Sequence, residues 1–217
     1  MHDRRGHNHR AYLWQYGRPG GSLVFDFRLG RGRDGPLLFL GQFEGLLQTD
    51  AYAAYDGVGG PLIVHAGCWA HPRRKFFEAV QLNPKDLAAI RIVARIDELF
   101  AIDAQARARK LDQAARQALR LEQARPLLPI LRQEIEAART QALPSSALGK
   151  AAKHTLAIWP RLTRFLEYPE LELSNNLAEN SMRPVALGLP QELLRIGRSD
   201  GVVPLGEDLV PCDAERA

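Results

Sequence analysis

At Cys68 the spacing of apolar residues changes period, and this switch constrains the fold more than any other feature of the chain. Upstream, apolar and aromatic residues come in short runs separated by turn chemistry, the pattern of strands. Tyr12–Tyr16 is aromatic and apolar, Arg18-Pro19-Gly20-Gly21 is a turn, and Ser22–Phe27 reads as a second strand, so the three predict a hairpin. Gly30–Gly35 is a polar loop. Pro36 with Leu37, Leu38, Leu40 and Phe43 predicts a short helix ending near Gly45. Leu46–Thr49 forms a strand running into Asp50, and Pro61–Ala66, entered through Gly57, Gly59 and Gly60, has the length and β-branched content of a buried strand. The predicted order is β-β-α-β-β.

Downstream, the apolar residues take helical spacing. Pro72 opens a segment from Arg73 to Leu82 with Phe76, Phe77 and Val80 on one side, stopping at Asn83-Pro84. From Asp86 to Ile102, residues Ala89, Val93, Ile96 and Phe100 follow one helix face, with Arg91, Arg95 and Glu98 left for the wet side. Further helices are predicted at 110–123, 126–142 and 145–167, the last bending at Pro160. A final short helix should follow Ser174-Asn175-Asn176, where three capping residues stand together. Beyond Pro184, glycine and proline interrupt every candidate period, which predicts a poorly ordered tail.

Composition narrows the function classes. With 217 residues, 46% of them hydrophobic and 25% charged, the chain has enough apolar surface for a core of its own, as one large or two small domains. No apolar run approaches the ~20 residues of a membrane-spanning helix, and no secretory h-region follows Met1–Arg10. The two cysteines, Cys68 and Cys212, are too few for a disulfide framework and point to a reducing cytoplasm. A formal charge of +4 permits a nucleic-acid partner without demanding one.

Several residues could carry chemistry, each with a plainer role beside it. Asp50, at the carboxyl end of a strand, could hold a cation or cap a helix starting at Ala51. Glu179 lies three residues after Asn176, the spacing of a capping box, and Arg183, one turn on, could pair with it or face phosphate. His65, Cys68 and His71 are three apart, the reach of a metal site lacking a fourth ligand, whereas Cys68 beside Trp69 also suits a small buried residue. Arg73-Arg74-Lys75 at a helix start oppose the helix dipole, so either an anionic partner or a neighbouring carboxylate should meet them, unless they form a solvated face. Arg28, Arg31 and Arg33 around the glycine-rich loop are a second basic cluster, solvated or phosphate-facing.

Three blocks, taken in order, resemble a known family. Leu46–Tyr52 (LLQTDAY), Cys68-Trp69-Ala70-His71 with Arg73–Phe77, and Asn175–Asn180 (NNLAEN) with Arg183–Gly188 are similar to the central domain of insertion-sequence 66 (IS66) family transposases. The resemblance spans Tyr12 to Gly188. It implies an α/β fold with a ribonuclease H-like core and a large α-helical insertion between the second and third acidic motifs. It further implies a D-D-E set of acids holding two Mg²⁺ (or Mn²⁺) ions that cut and join DNA. Asp50 then matches the second acid and Glu179, 129 positions later, the third. Cys68 and His71 match a C-x-x-H pair, expected to be structural or site-supporting. Arg73, Arg74, Lys75 and Arg183 are the expected phosphate contacts.

On this basis 11–83 is the first part of the core, 84–170 the helical insertion, 171–188 the final core helix, and 189–217 a divergent tail. The first acid belongs on a strand preceding Tyr12, where Met1–Arg10 offers only Asp3. That predicts a core without its first strand, an unpaired edge beside Tyr12–Tyr16 or Ser22–Phe27, poor solubility, and a truncated copy with impaired strand transfer. The expected partners are transposon ends and target DNA, intact transposase copies or the chain itself, in the cytoplasm and at the nucleoid when DNA is bound. The alternative expectation is a non-catalytic remnant that binds DNA or another transposase.

Overall fold

The computed structural model describes residues 11–18, 21, 23–176, 196–197 and 201–205. The predicted hairpin forms from β1 (Ala11–Gly17) and β2 (Leu23–Arg28), antiparallel with Trp14 opposite Asp26. Helix α1 (Asp34–Leu40) stops at Gly41, whose φ of +50° suits a residue without a side chain. Strands β3 (Gly45–Thr49) and β4 (Ile63–Gly67) pair in parallel, with a 3₁₀ turn at Ala53–Tyr55 between them. Helix α2 (Ala70–Leu82) follows directly. The order β-β-α-β-β then helix is the one predicted.

Side-chain caps fix where the later helices start. Asp86 accepts the N–H groups of Ala88 and Ala89, both at 3.1 Å, at the head of α3 (Leu87–Ala108). Asp112 caps α4 (Gln113–Leu119) through Ala115 at 2.8 Å, and Ser146 caps α6 (Ala147–Ala157) through Gly149 at 3.1 Å. Several predicted boundaries shift: α1 stops at Leu40, short of Gly45, and α3 runs past Ile102 to Ala108. The 110–123 helix begins at Gln113 because Asp112 is its cap, and it runs into a π-helical turn at Arg120–Ala124 before α5 (Leu127–Gln141). The 145–167 helix breaks at Ile158 instead of bending at Pro160. That proline lies in the first turn of α7 (Trp159–Leu162), where its missing N–H costs nothing, and a 3₁₀ turn at Arg164–Leu166 follows. The helix expected after Asn176 lies outside the described residues.

The sheet runs β2-β1-β6-β3-β4, with β5 (Ile196–Gly197) alongside β1. Strand β6 (Gly201–Leu205) is parallel to β1, setting Gln15 opposite Gly201, and antiparallel to β3, setting Leu47 opposite Pro204. The edge expected to stand open beside Tyr12–Tyr16 is therefore occupied, by a segment in which sequence reading found no element. Gly201 and Pro204 hide the strand, since proline offers no N–H to a ladder and glycine has no side chain to pattern. Among the described residues, strand β2 ends the order and is an edge.

Consecutive residues of β3 point to opposite faces, so Leu46 and Leu47 enter different cores. Leu47 joins Trp14, Tyr16, Leu40, Tyr55 and Val58, with Phe39 stacked on Tyr16 at 3.7 Å. Leu46 and Ala66 join Trp69 and Phe76, then Ile92, Ile96 and Leu99 of α3, Leu131 and Ile135 of α5, and Leu162. The helices thus share one continuous core with the sheet. Among the described residues, no helix is long and apolar enough to cross a membrane.

Candidate metal and nucleic-acid site

Asp50 follows the last residue of β3, at the carboxyl ends of two parallel strands. Thr49 is registered with Gly67, so Asp50 and Cys68 each follow directly on the last rung of the ladder. The Asp50 Oδ1 accepts the Tyr52 N–H at 2.9 Å and Thr49 Oγ1 accepts the Ala51 N–H at 3.1 Å. These bonds hold Ala51 at φ +65°, a left-handed conformation that a residue with a Cβ adopts at a cost of about 1 kcal/mol or more. Asp50 thus anchors a turn, not a helix starting at Ala51; the next helical residues are the 3₁₀ turn at Ala53–Tyr55. The turn is buttressed from outside. The Tyr52 hydroxyl donates to the Arg31 carbonyl at 2.9 Å, the Arg31 guanidinium lies 4.3 Å from the Tyr52 ring centre, and Tyr52 and Tyr55 flank Trp14.

The chain comes back to this point from far away in sequence. Gln48, two residues before Asp50 and buried, donates from Nε2 to the carbonyl oxygens of Gly67 (3.2 Å) and Glu172 (2.7 Å). The Trp69 N–H donates to the Leu173 carbonyl at 2.8 Å. One side chain and one backbone amide therefore pin residues 172 and 173 across the carboxyl ends of β3 and β4, and Asn175 beyond them is buried. Glu179 and Arg183 lie outside the described residues, so their positions relative to Asp50 are not described. Glu179 is seven residues past Glu172, a span of at most roughly 25 Å when fully extended. Gln48 was not singled out in the sequence; a buried amide at a strand end shows its use only once its carbonyl partners are known.

The other candidates separate. Cys68 is buried after β4, and His71 stands half-buried in the first turn of α2. His65 lies on β4, where burial and the charge of Arg161 lower its pKa. Among the described residues, no three His, Cys, Asp or Glu side chains gather as a metal group, so His65, Cys68 and His71 do not form one. Arg73 is met by a carboxylate: its Nε and Nη2 both reach Asp97 of α3, the latter at 3.0 Å. Arg74 and Lys75 are exposed on α2. Arg28 pairs with Asp26 at 2.8 Å, and Arg33 reaches the Ala53 carbonyl at 3.5 Å.

The largest electrostatic feature escaped sequence reading. Asp103 and Arg120 are each 1% exposed and in contact, and Arg116 closes on the other Asp103 oxygen at 2.9 Å. Arg120 spends its remaining donors on the carbonyls of Phe165, Pro169 and Leu171, while Arg116 also holds Glu172 at 2.9 Å. The cluster thus ties α3 and α4 to the segment that Gln48 and Trp69 pin at the strand ends. Its signal was present: Asp103 continues the buried stripe Ala89, Ile92, Ile96, Leu99, and a carboxylate on an apolar stripe needs a cation.

Comparison with known proteins shows the family. The model of the Transposase IS66 family matches residues 1–193. Three uncharacterized proteins of Sinorhizobium fredii (strain NBRC 101917 / NGR234) are similar. The protein y4qI is 30% identical over 195 residues, covering 82% of this chain and 36% of its own length. The protein y4jD is 34% identical over 156 residues (68% and 30%), and y4hP 32% identical over 169 (70% and 30%). The chain spans about a third of the length of these relatives. No solved structure matches it.

Proposed function

Because the chain belongs to the IS66 family of transposases, we propose that it carries the D-D-E site of DNA cleavage and strand transfer on a ribonuclease H-like core, with Asp50 and Glu179 as two of its acids. The observation that supports this reading is the pinning of residues 172–173 by Gln48 and Trp69, which brings the chain leading to Glu179 to the strand end that carries Asp50. On this reading 11–83 and 171–188 form the core, its sheet completed by β6, and 84–170 the helical insertion. The donors fit a hard divalent cation: carboxylate oxygen suits Mg²⁺ or Mn²⁺, and the Tyr52 N–H orients the Asp50 carboxylate. When bound, such ions activate the attacking hydroxyl and stabilise the leaving oxygen of a phosphodiester. The chain's own part is to hold its two acids in place, with the 49–52 turn setting one and the Asp103 cluster steadying the approach to the other.

DNA, as transposon ends and target, is the proposed partner, with other transposase copies or a second copy of this chain, in the cytoplasm and at the nucleoid when bound. Arg74, Lys75 and Arg183 are the proposed phosphate contacts, and Cys68 and His71 support the site. Arg73 is a weaker contact than the sequence suggested, because Asp97 already meets its charge. Each phosphate contact should contribute a slope of roughly −0.9 in log K against log salt. Lys75→Ala is expected to flatten that slope by about one contact, whereas Arg73→Ala leaves it nearly unchanged. Fluorescence anisotropy with a labelled duplex across a salt series reads the difference.

One observation favours the second reading, a chain that binds DNA or another transposase without cutting. The resemblance sets the first acid on a strand preceding Tyr12, and the strand that pairs beside β1 in the structure, Gly201-Val202-Val203-Pro204-Leu205, supplies no carboxylate in its place. Incubation of the purified chain with end-bearing duplex and Mg²⁺ or Mn²⁺ decides between them. Metal-dependent cleavage supports the first reading, and binding without cleavage the second.

A further inference from the structure

Among the described residues, strand β2 ends the sheet order, and its outward face is apolar: Phe25 is 37% exposed, Phe27 40% and Leu29, just past the strand, 65%. Edge strands are usually blunted by lysine, proline, a bulge or shortness. Leu23–Arg28 contains no lysine and no proline, and six consecutive residues hold register with β1 without a bulge. Its two charges, Asp26 and Arg28, lie on the opposite face from the phenylalanines and pair with each other at 2.8 Å.

We propose that this edge pairs with the same edge of a second copy of the chain, joining two sheets through an antiparallel β2–β2 ladder with Phe27 at the two-fold axis. Charge selects the occupant and the register. A two-fold normal to the sheet keeps each face continuous, so facing residues i and j have an even sum. Centring on residue 26 sets Asp26 against Asp26 of the second copy, and centring on 28 sets Arg28 against Arg28. Only centring on 27 sets Asp26 against Arg28 of the second copy, twice by symmetry, with Phe27 on Phe27 and Phe25 on Leu29 across the other face. The strand is thus self-complementary in one register. The inference is independent of the transposase reading.

Sedimentation equilibrium of the full chain should show a concentration-dependent dimer, and Phe27→Lys should shift it to monomer, with a thermal midpoint equal to that of the unmutated chain at concentrations where both are monomeric. Asp26→Arg and Arg28→Asp reverse one charge each, so each alone faces like with like and dimerises roughly 10-fold more weakly or less. Mixed together they are complementary at both pairs, and the mixture should form a heterodimer neither variant matches alone. Hydrogen exchange of the unmutated chain gives a readout free of folding defects: β2 amides gain protection as concentration rises. A chain monomeric throughout, a dimer indifferent to Phe27→Lys, or a mixture no more associated than its components would overturn the proposal.

Discussion

Asp103→Ala is expected to lower stability by about 3–5 kcal/mol, the range for removing one partner of a buried ion pair. The variant leaves the guanidinium of Arg120, 1% exposed, and that of Arg116, 13% on its side chain, without the carboxylate that compensates them. Arg107, 52% exposed, loses its 2.6 Å contact at little cost because water replaces it. Replacing Arg120 by Lys is also expected to destabilise, since one ammonium cannot serve Asp103 and three carbonyls at once. Urea unfolding followed by circular dichroism reads both effects.

The same cluster sets a pH dependence. Burial pushes the Asp103 carboxyl up, but hydrogen bonds and charge from Arg116 and Arg120 outweigh it, and its pKa lies below the ordinary value. A lowered carboxylate pKa contributes stability that is fully present above the unfolded value of about 3.9 and is lost as pH falls through the folded value. Acid unfolding should therefore be less steep in Asp103→Asn, which has no charge there to lose.

The second large effect concerns chemistry. If the chain cuts DNA, Asp50→Asn and Glu179→Gln should each reduce metal-dependent cleavage by more than the roughly 10–100-fold that a lost outer-shell partner costs, because each removes a proposed direct ligand. DNA binding should change little, since neither residue is a cation. Gln48→Leu is a sharper probe of the geometry. It removes the bonds to the Gly67 and Glu172 carbonyls without touching either acid, so cleavage should fall while the Asp50 turn, held by Thr49 and Tyr52, stays formed. Quantified strand scission of a labelled duplex measures all three.

Local rules carried the sequence reading wherever one residue type determines the backbone. The β1–β2 hairpin was legible from its turn chemistry, whereas α1 stops at Gly41, short of the predicted Gly45, and the caps Asp86 and Ser146 were not singled out although capping chemistry favours both residue types. What was illegible depends on distant partners. Strand β6 has a glycine and a proline and owes its conformation to pairing with β1 and β3, a tertiary effect that local propensity opposes. Asp103 lies one residue past the Ile102 at which the predicted helix ended, and its role depends on Arg116 and Arg120, 13 and 17 positions away. In the site, the position of Asp50 at a strand end was legible. The role of Gln48 was not, because its Glu172 partner lies 124 positions away.

The central claim is that Asp50 and Glu179 share a divalent metal ion, and Mn²⁺ binding followed by electron paramagnetic resonance tests it most directly, with or without DNA cleavage. The account predicts that the unmutated chain takes up Mn²⁺, that Asp50→Asn and Glu179→Gln each weaken uptake, and that combining them weakens it little beyond the stronger single effect, because two ligands of one ion act as a unit. Uptake unaffected by either substitution, or effects of the two that simply add as for independent sites, would contradict it.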